Sequence, residues 1–277
     1  MPIRRNMWPA WCLLALGAVA PGVLHAGRSL EVPVPGTALQ VALLGRQDHT
    51  AEVSLWIGRT EVPWELLDAF VFEKVDPQQA QPADAVARPS KPYISMDRGF
   101  GHAGYPAICV SQHTAKAFCD WLSGKTGRRF RLPTVRELRS VCGDATIDDA
   151  VAMDARCWHA GNAKGTTHPV DSGQPVNGFH ALLGNVAEWA VADDGTLVLW
   201  GGSYLDTADD LSCDRILRPT PAWNASDPQM PPSRWWLADA PFAGLRLVCE
   251  PLPSEQRQRS PGVQPAAPDG RRTETMP

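Results

Sequence analysis

The chain has 277 residues, of which 44% are apolar and 20% are charged, and its formal net charge is −4. This composition can bury a sizeable core and excludes a fully disordered protein. The near-neutral charge argues against a nucleic-acid partner. The 23 glycines and 26 prolines disfavour long helices and predict many loops and turns.

The first 26 residues have the pattern of a secretory signal. Two arginines at positions 4 and 5 precede an apolar run from Trp11 to Ala20, and a small residue follows at the exit. A run of about ten residues is too short to cross the ~30 Å hydrocarbon core of a membrane. We therefore expect residues 1–26 to be a signal peptide and the mature protein to be exported to the periplasm, not to be an integral membrane protein.

The next part of the chain predicts a strand and a helix. Residues 27–50 are mixed and rich in turn residues, whereas residues 52–57 alternate polar and apolar side chains as a strand does. Pro63 is placed in the first turn of a helix that continues through Phe70. Residues 74–92 contain four prolines among polar residues and are predicted to be an exposed loop.

Two further helices have recognisable start signals. Ser111 can accept a backbone hydrogen bond at the start of a helix over 112–123. The second helix follows Thr134, which forms a capping-box pattern with Glu137. We expect one of the three arginines at 128, 129 and 131 to form an ion pair with Glu137, with an anion-binding patch as the alternative.

The second half of the chain has fewer periodic segments. Residues 144–182 show little regular periodicity, whereas short apolar runs predict strands at 197–200 and 245–248. The sequence Asp-Asp-Gly at 193–195 predicts a hairpin turn. Residues 251–277 contain no aromatic residue and are predicted to be a disordered, proline-rich tail. Helices followed by irregular segments and short strands indicate the α+β class.

Six cysteines follow the predicted signal peptide. An even number in an oxidising compartment suggests disulfides, and six cysteines allow 15 pairings, so the sequence alone leaves the pairing open. Their spacing does not match a structural zinc site. The six are Cys109, Cys119, Cys142, Cys157, Cys213 and Cys249.

Four blocks in order resemble one family. The blocks are 118–134 with Glu137, GNVAEW at 184–189, GGSY at 201–204, and GLR at 244–246. In this order and spacing, the chain resembles the formylglycine-generating enzyme, or sulfatase-modifying factor, family. The resemblance implies a C-type-lectin-like fold rich in loops, in a single domain over residues 27–250.

The resemblance also implies a catalytic apparatus, from which this chain departs. The family's enzymes oxidise a substrate cysteine with molecular oxygen and bind copper(I) through two cysteines. Asp206 stands where the first cysteine is expected, and Cys213 matches the second only if two residues are inserted. A carboxylate is a hard ligand and a poor replacement for a thiolate on Cu(I). We therefore expect no catalytic residue and no copper, with Cys213 and Ser203 as secondary candidates.

The family resemblance further implies a structural calcium ion. The implied ligands are the side-chain oxygens of Asn185 and Glu188 and the backbone carbonyls of Leu183 and Val186. Carboxylate, amide and carbonyl oxygens are the ligands that Ca²⁺ prefers. The alternative is that Glu188 accepts backbone N–H groups in a tight turn.

A disulfide is also implied by the resemblance, between the first of the two later helices and the last strand. Its cysteines here are Cys119 and Cys249, although Cys249 lies two residues beyond the matching position. A shift of two residues restores the same face of a strand. The other four cysteines allow three pairings, and a disulfide at Cys213 would remove the last thiol of the copper site.

The expected function is contact with another protein. Trp235 and Trp236 lie in a predicted loop and could anchor a partner, with core packing as the alternative. The resemblance to exported family members implies a non-catalytic regulator of type VI secretion upstream of a membrane threonine kinase. The partner would be the periplasmic domain of such a kinase or an outer-membrane lipoprotein. The alternatives are a periplasmic oxidase of siderophore chromophore maturation, a residual formylglycine-generating oxidase, and a carbohydrate-binding module.

Overall fold

The computed structural model describes residues 28–47, 53–73, 96–143, 150–225 and 238–256. The predicted signal peptide, the two adjacent tryptophans at 235 and 236, and residues 257–277 lie outside these ranges. The strands are β1 Ser29–Pro33, β2 Gln40–Gln47, β3 Val53–Gly58, β4 Phe130–Arg131, β5 Ala187–Val191, β6 Leu197–Trp200, β7 Ile216–Leu217, β8 Ala243–Gly244 and β9 Val248–Cys249. The α-helices are α1 Trp64–Val71, α2 Gln112–Thr126, α3 Val135–Cys142, α4 Ala150–Arg156 and α5 Pro253–Gln256.

The first sheet joins both ends of the described chain. Its strand order is β1-β2-β3-β9-β4, and all its pairs are antiparallel. Cys249 of β9 pairs with Trp56 of β3 on one side and with Phe130 of β4 on the other. Strands β1 and β2 occupy residues that the sequence predicted to be turn-rich, so that prediction was wrong there. The two strands pair with each other, and their buried residues Val32, Val41 and Leu43 pack in the largest core cluster.

Strand β3 is buried on both faces. Trp56 packs in the largest core cluster, whereas Leu55 and Ile57 pack in a separate cluster with Val248. From Leu55 onward the strand therefore contacts two core clusters, whereas Ser54 is exposed. The predicted strand at 52–57 is confirmed with a shift of one residue.

The second sheet has the order β7-β6-β5-β8. Strands β5 and β6 form an antiparallel hairpin, and β5 pairs with β8 in parallel. The hairpin turn predicted at 193–195 is confirmed, because Ala192 donates its N–H to the carbonyl of Thr196 and Gly195 has a φ of 79°. The predicted strand at 197–200 is confirmed, while the one at 245–248 shortens to the last residue of that run and its neighbour.

The helix starts follow their capping residues. The hydroxyl of Ser111 accepts the N–H of Thr114, and the capping box of Thr134 and Glu137 is complete. Pro63 precedes the first helical residue of α1 and does not lie within its first turn, which corrects its predicted position. Helix α4 lies within the stretch 144–182, where periodicity did not reveal it. No helix within the described residues is long and apolar enough to cross a membrane.

The described chain ends in a short helix that contacts the first sheet. Glu255 of α5 accepts the indole N–H of Trp56 at 2.9 Å and forms an ion pair with Arg128. Residues 251–256, which the sequence assigned to the disordered tail, are therefore packed on the domain.

Candidate functional site

The block that matches the copper-binding region is a tight turn after β6. Gly201 and Gly202 have φ values of 91° and 81°, in the left-handed region that favours glycine. A Cβ atom at Gly202 would lie 2.5 Å from a methyl group of Leu211. The two glycines are thus required by both backbone conformation and crowding, and they place Ser203 at the start of the turn. We call residues 201–206 together with Arg215 the Asp206 turn.

The carboxylate of Asp206 is engaged by neighbouring groups on both oxygens. Its Oδ2 accepts the backbone N–H of Ser203 at 2.8 Å and the Ser203 hydroxyl at 3.1 Å. Its Oδ1 accepts from Nη2 of Arg215 at 2.7 Å. A carboxylate in this position closes the turn upon itself. Its chemistry is that of a hydrogen-bond acceptor and ion-pair partner.

The second candidate thiol is in a disulfide. Cys213 is bonded to Cys142 at the end of α3, with 5.7 Å between their Cα atoms. The carbonyl of Cys213 also accepts the indole N–H of Trp200 at 2.7 Å. Of the three pairings that the sequence left open, the structure contains this bridge, while Cys109 and Cys157 are free thiols.

Two further residues of the family blocks, Ser203 and Trp189, are buried. Ser203 is buried, and its hydroxyl donates to Asp206 within the turn. Trp189 is also buried, and its indole N–H donates to the carbonyl of Val110 at 2.8 Å. The structure thus brings Ser203, Asp206 and Cys213 into one region, but with their functional groups engaged in local structure.

The implied disulfide between Cys119 and Cys249 is not formed, since both are free, buried thiols. The expected face was correct, because Leu247 and Cys249 pack in the same core cluster as Cys119. A shift of two residues nevertheless moves a side chain by about 6.6 Å along a strand. The Cβ atoms of a disulfide lie only ~3.5–4.5 Å apart. The sulfur of Cys249 instead lies 3.9 Å from Nη1 of Arg128, and burial raises the pKa of Cys119 to about 12.

A second group of polar side chains lies in the interior beneath the block at 184–189. We call Glu61, Asn185, Glu188 and Arg246 the Arg246 cluster. Nδ2 of Asn185 donates to Glu61 at 2.8 Å, and its Oδ1 accepts the N–H of His168 at 2.9 Å. Glu61 also accepts the N–H of Val186 at 3.2 Å. Burial, followed by repulsion from Glu188, raises the pKa of Glu61 well above its ordinary value.

The acid of this cluster that was predicted to bind calcium is already paired with a cation. Nε of Arg246 lies 2.9 and 3.0 Å from the two oxygens of Glu188, and Nη2 lies 2.7 Å from Oε1. The side-chain oxygen of Asn185 already accepts the N–H of His168. Of the predicted calcium ligands, only the carbonyls of Leu183 and Val186 then remain. Ca²⁺ takes six to eight oxygens, so these four residues do not fit the ion. Among the described residues, no group of three or more histidine, cysteine and acidic side chains is arranged to hold a metal.

A cluster around Cys109 was not predicted from the sequence. This cysteine is fully buried with a φ of 57°, and its sulfur accepts a hydrogen bond from Nε of Arg98 at 3.4 Å. Burial raises the pKa of the Cys109 thiol, although Arg98 opposes this shift. Tyr204, the last residue of the GGSY block, interacts electrostatically with both. No sequence motif marks this cluster, because its members come from separate loops.

Comparisons with known proteins agree with the geometry. Residues 31–231 match the sulfatase-modifying factor enzyme 1-like domain, and no curated protein sequence matches the chain. Variable protein 1 of Treponema denticola is similar in structure, with a TM-score of 0.57 and 19% identity over 80% of this chain and 99% of that chain.

Two further solved structures are similar at a lower level. PvdO from Pseudomonas aeruginosa has a TM-score of 0.49 and 18% identity, over 80% of this chain and 91% of that chain. CarF has a TM-score of 0.47 and 21% identity, over 80% of this chain and 98% of that chain. At such identities, the likeness to solved structures concerns the fold. The predicted α+β, C-type-lectin-like fold is confirmed, and the chain belongs to the sulfatase-modifying factor enzyme 1-like domain family.

Proposed function

We propose that this chain is a non-catalytic, exported member of its family that acts by contact with another envelope protein. One observation carries the proposal: neither position of the family's copper-binding cysteine pair has a free thiol in this chain. The first is Asp206, which is paired with Arg215, and the second is Cys213, which is bonded to Cys142. Copper(I) in proteins favours soft sulfur ligands, and this turn presents neither thiolate.

A copper titration tests the loss of the catalytic centre. The full exported chain is titrated with Cu(I) under anaerobic conditions against a chromophoric competitor, and then incubated with a cysteine peptide in air. We expect no stoichiometric Cu(I) binding and no conversion of cysteine to formylglycine. One cuprous ion per chain together with aldehyde formation would overturn the proposal. Oxygen consumption with a catechol-like precursor would likewise overturn it in favour of siderophore maturation.

The finer proposal is a regulatory role in type VI secretion, similar to that of the regulator TagR. The support is the family domain, the secretory pattern of residues 1–26, and the committed state of Asp206 and Cys213. In this role, the chain binds the periplasmic domain of a membrane threonine kinase or an outer-membrane lipoprotein. The proposed contacts are Trp235 and Trp236, which lie outside the described residues.

A capture experiment tests this role. The chain without residues 1–26 is immobilised and exposed to the purified periplasmic domain of the kinase and, separately, to the lipoprotein. We expect retention of one of them, weakened in Trp235→Ala or Trp236→Ala. Phe72→Ala is the matched control, because Phe72 is an exposed aromatic residue on a different part of the chain and its loss should leave retention unchanged. Absence of retention of both proteins would contradict the type VI proposal while leaving the copper result unaffected.

A further inference from the structure

The guanidinium group of Arg246 lies in a cage of oxygen atoms. Besides the two oxygens of Glu188, the carbonyl of Gly58 accepts from Nη1 at 3.0 Å. The carbonyls of His180 and Ala181 accept from Nη2 at 2.9 and 3.0 Å. Five oxygens from three separate segments therefore converge on a single buried cation.

The backbone is shaped to supply these oxygens. Ala181 has a φ of 44°, in the left-handed region that non-glycine residues rarely adopt. His180 and Ala181 thereby direct successive carbonyls at the same nitrogen. Arg246 is completely buried, and Glu188 is 1% exposed. Water therefore does not compete for the hydrogen bonds between the two side chains.

Carbonyls and a carboxylate converging on one point are also the donor set of a calcium site. Here the cation is part of the chain. A guanidinium stays charged at all physiological pH values, and it lies within hydrogen-bond distance of both Glu188 oxygens, so a divalent ion at the same acid would be repelled. We infer that the Arg246 guanidinium takes the place of a bound metal ion for residues 180–188. This segment therefore folds without calcium.

A melting experiment on the full chain tests the inference. The protein is stripped with a chelator and its Tm is measured with and without millimolar Ca²⁺, with Mg²⁺ at equal ionic strength as the control. An ion present at one hundred times its Kd would raise the Tm of a domain of this size by roughly 5–10 °C. We expect no Ca²⁺-specific shift and substoichiometric calcium by elemental analysis. A Ca²⁺-specific rise in Tm, or one tightly held calcium per chain, would overturn the inference.

A conservative variant tests whether the hydrogen bonds of the guanidinium group stabilise the fold. Arg246→Lys keeps the charge but presents three donors in place of the planar five, so we expect a lower Tm than for wild type. The matched control is Arg218→Lys, since Arg218 forms an exposed ion pair with Asp194 and its Tm should stay unchanged. An Arg246→Lys protein as stable as the control would overturn the inference. If this variant fails to fold, the calcium response of the wild-type chain still decides the question.

Discussion

The Arg246 cluster and the Asp206 turn are held by the same kind of ion pair, yet they differ in exposure to water. Arg246 and Glu188 are 0% and 1% exposed, whereas Arg215 and Asp206 are 34% and 12% exposed. A charge left alone in a dry interior costs several kcal/mol, while water relieves a partly exposed one. The first pair therefore joins distant segments of the frame, and the second fixes a local turn.

The largest effect is expected from removing the buried cation. Arg246→Ala leaves Glu188 without its partner and exposes three carbonyls to an empty space, so the free energy of unfolding should fall by about 3–5 kcal/mol. Urea denaturation of the purified variant measures this loss. Arg218→Ala, which breaks an exposed pair, should change stability by less than about 0.5 kcal/mol. Equal losses in the two variants would remove the distinction between the clusters.

The disulfide next to the Asp206 turn should have the second largest effect. Cys142 and Cys213 are 71 residues apart, and the chain-entropy argument gives about 4 kcal/mol for a loop of that length. The double variant Cys142→Ser/Cys213→Ser should therefore lose about 2–4 kcal/mol of stability. A thiol titration of the denatured chain lacking residues 1–26 checks the bridge directly. It should find four thiols before reduction and two more afterwards.

Asp206→Ala probes the turn itself. It removes the acceptor of the Ser203 N–H and the ion-pair partner of Arg215, so stability should fall by about 1–3 kcal/mol. Because the turn is local, the variant should still unfold in one cooperative step. Asp206→Asn, which keeps an acceptor but not the charge, should lose less. A loss as large as that of Arg246→Ala would show that the turn is part of the frame.

The smallest effect is a change in pH dependence. Because the pKa of Glu61 is raised, the folded state retains a proton that the unfolded chain has released at pH values between the ordinary pKa and the folded-state pKa. This contribution to stability is complete below the ordinary pKa of 4.5 and is lost as pH rises through the folded-state pKa. Glu61→Gln should flatten that dependence, by up to about 1.4 kcal/mol per pH unit.

The slope of stability against pH is the appropriate measurement for Glu61→Gln. A glutamine amide disturbs the hydrogen bonds to Asn185 and Val186 at every pH, so the absolute stability falls as well. Urea denaturation of both proteins from acidic to slightly alkaline pH gives the two slopes. Parallel curves would show that Glu61 does not carry the proton.

Features that depend on neighbouring residues could be predicted from the sequence. Thr134 and Glu137 are three residues apart, and both hydrogen bonds of their capping box are present. An ion pair to Glu137 was expected from one of three nearby arginines, and Arg131 forms it at 2.6 Å. Such patterns are detectable because the geometry of one helical turn determines which groups meet.

Features that depend on distant residues could not be predicted in this way. Glu61 and Asn185 are 124 residues apart, and their contact arises only when two segments pack around Arg246. The error at Cys249 has the same origin: alternation determines which face of a strand a residue occupies, but its position along the strand depends on the sheet register. Strands β1 and β2 were not predicted because residues 27–50 are rich in turn residues. The two strands are recognised by their antiparallel pairing with each other, which the sequence does not show.

The short helix α5 has a practical consequence for recombinant versions of this protein. Glu255 links Trp56 in the first quarter of the chain to Arg128 near its midpoint. A truncation at residue 250, where family resemblance places the boundary, would delete this latch and leave the indole N–H and the guanidinium without their acceptor. Affinity tags and fusion partners are best attached beyond residue 256.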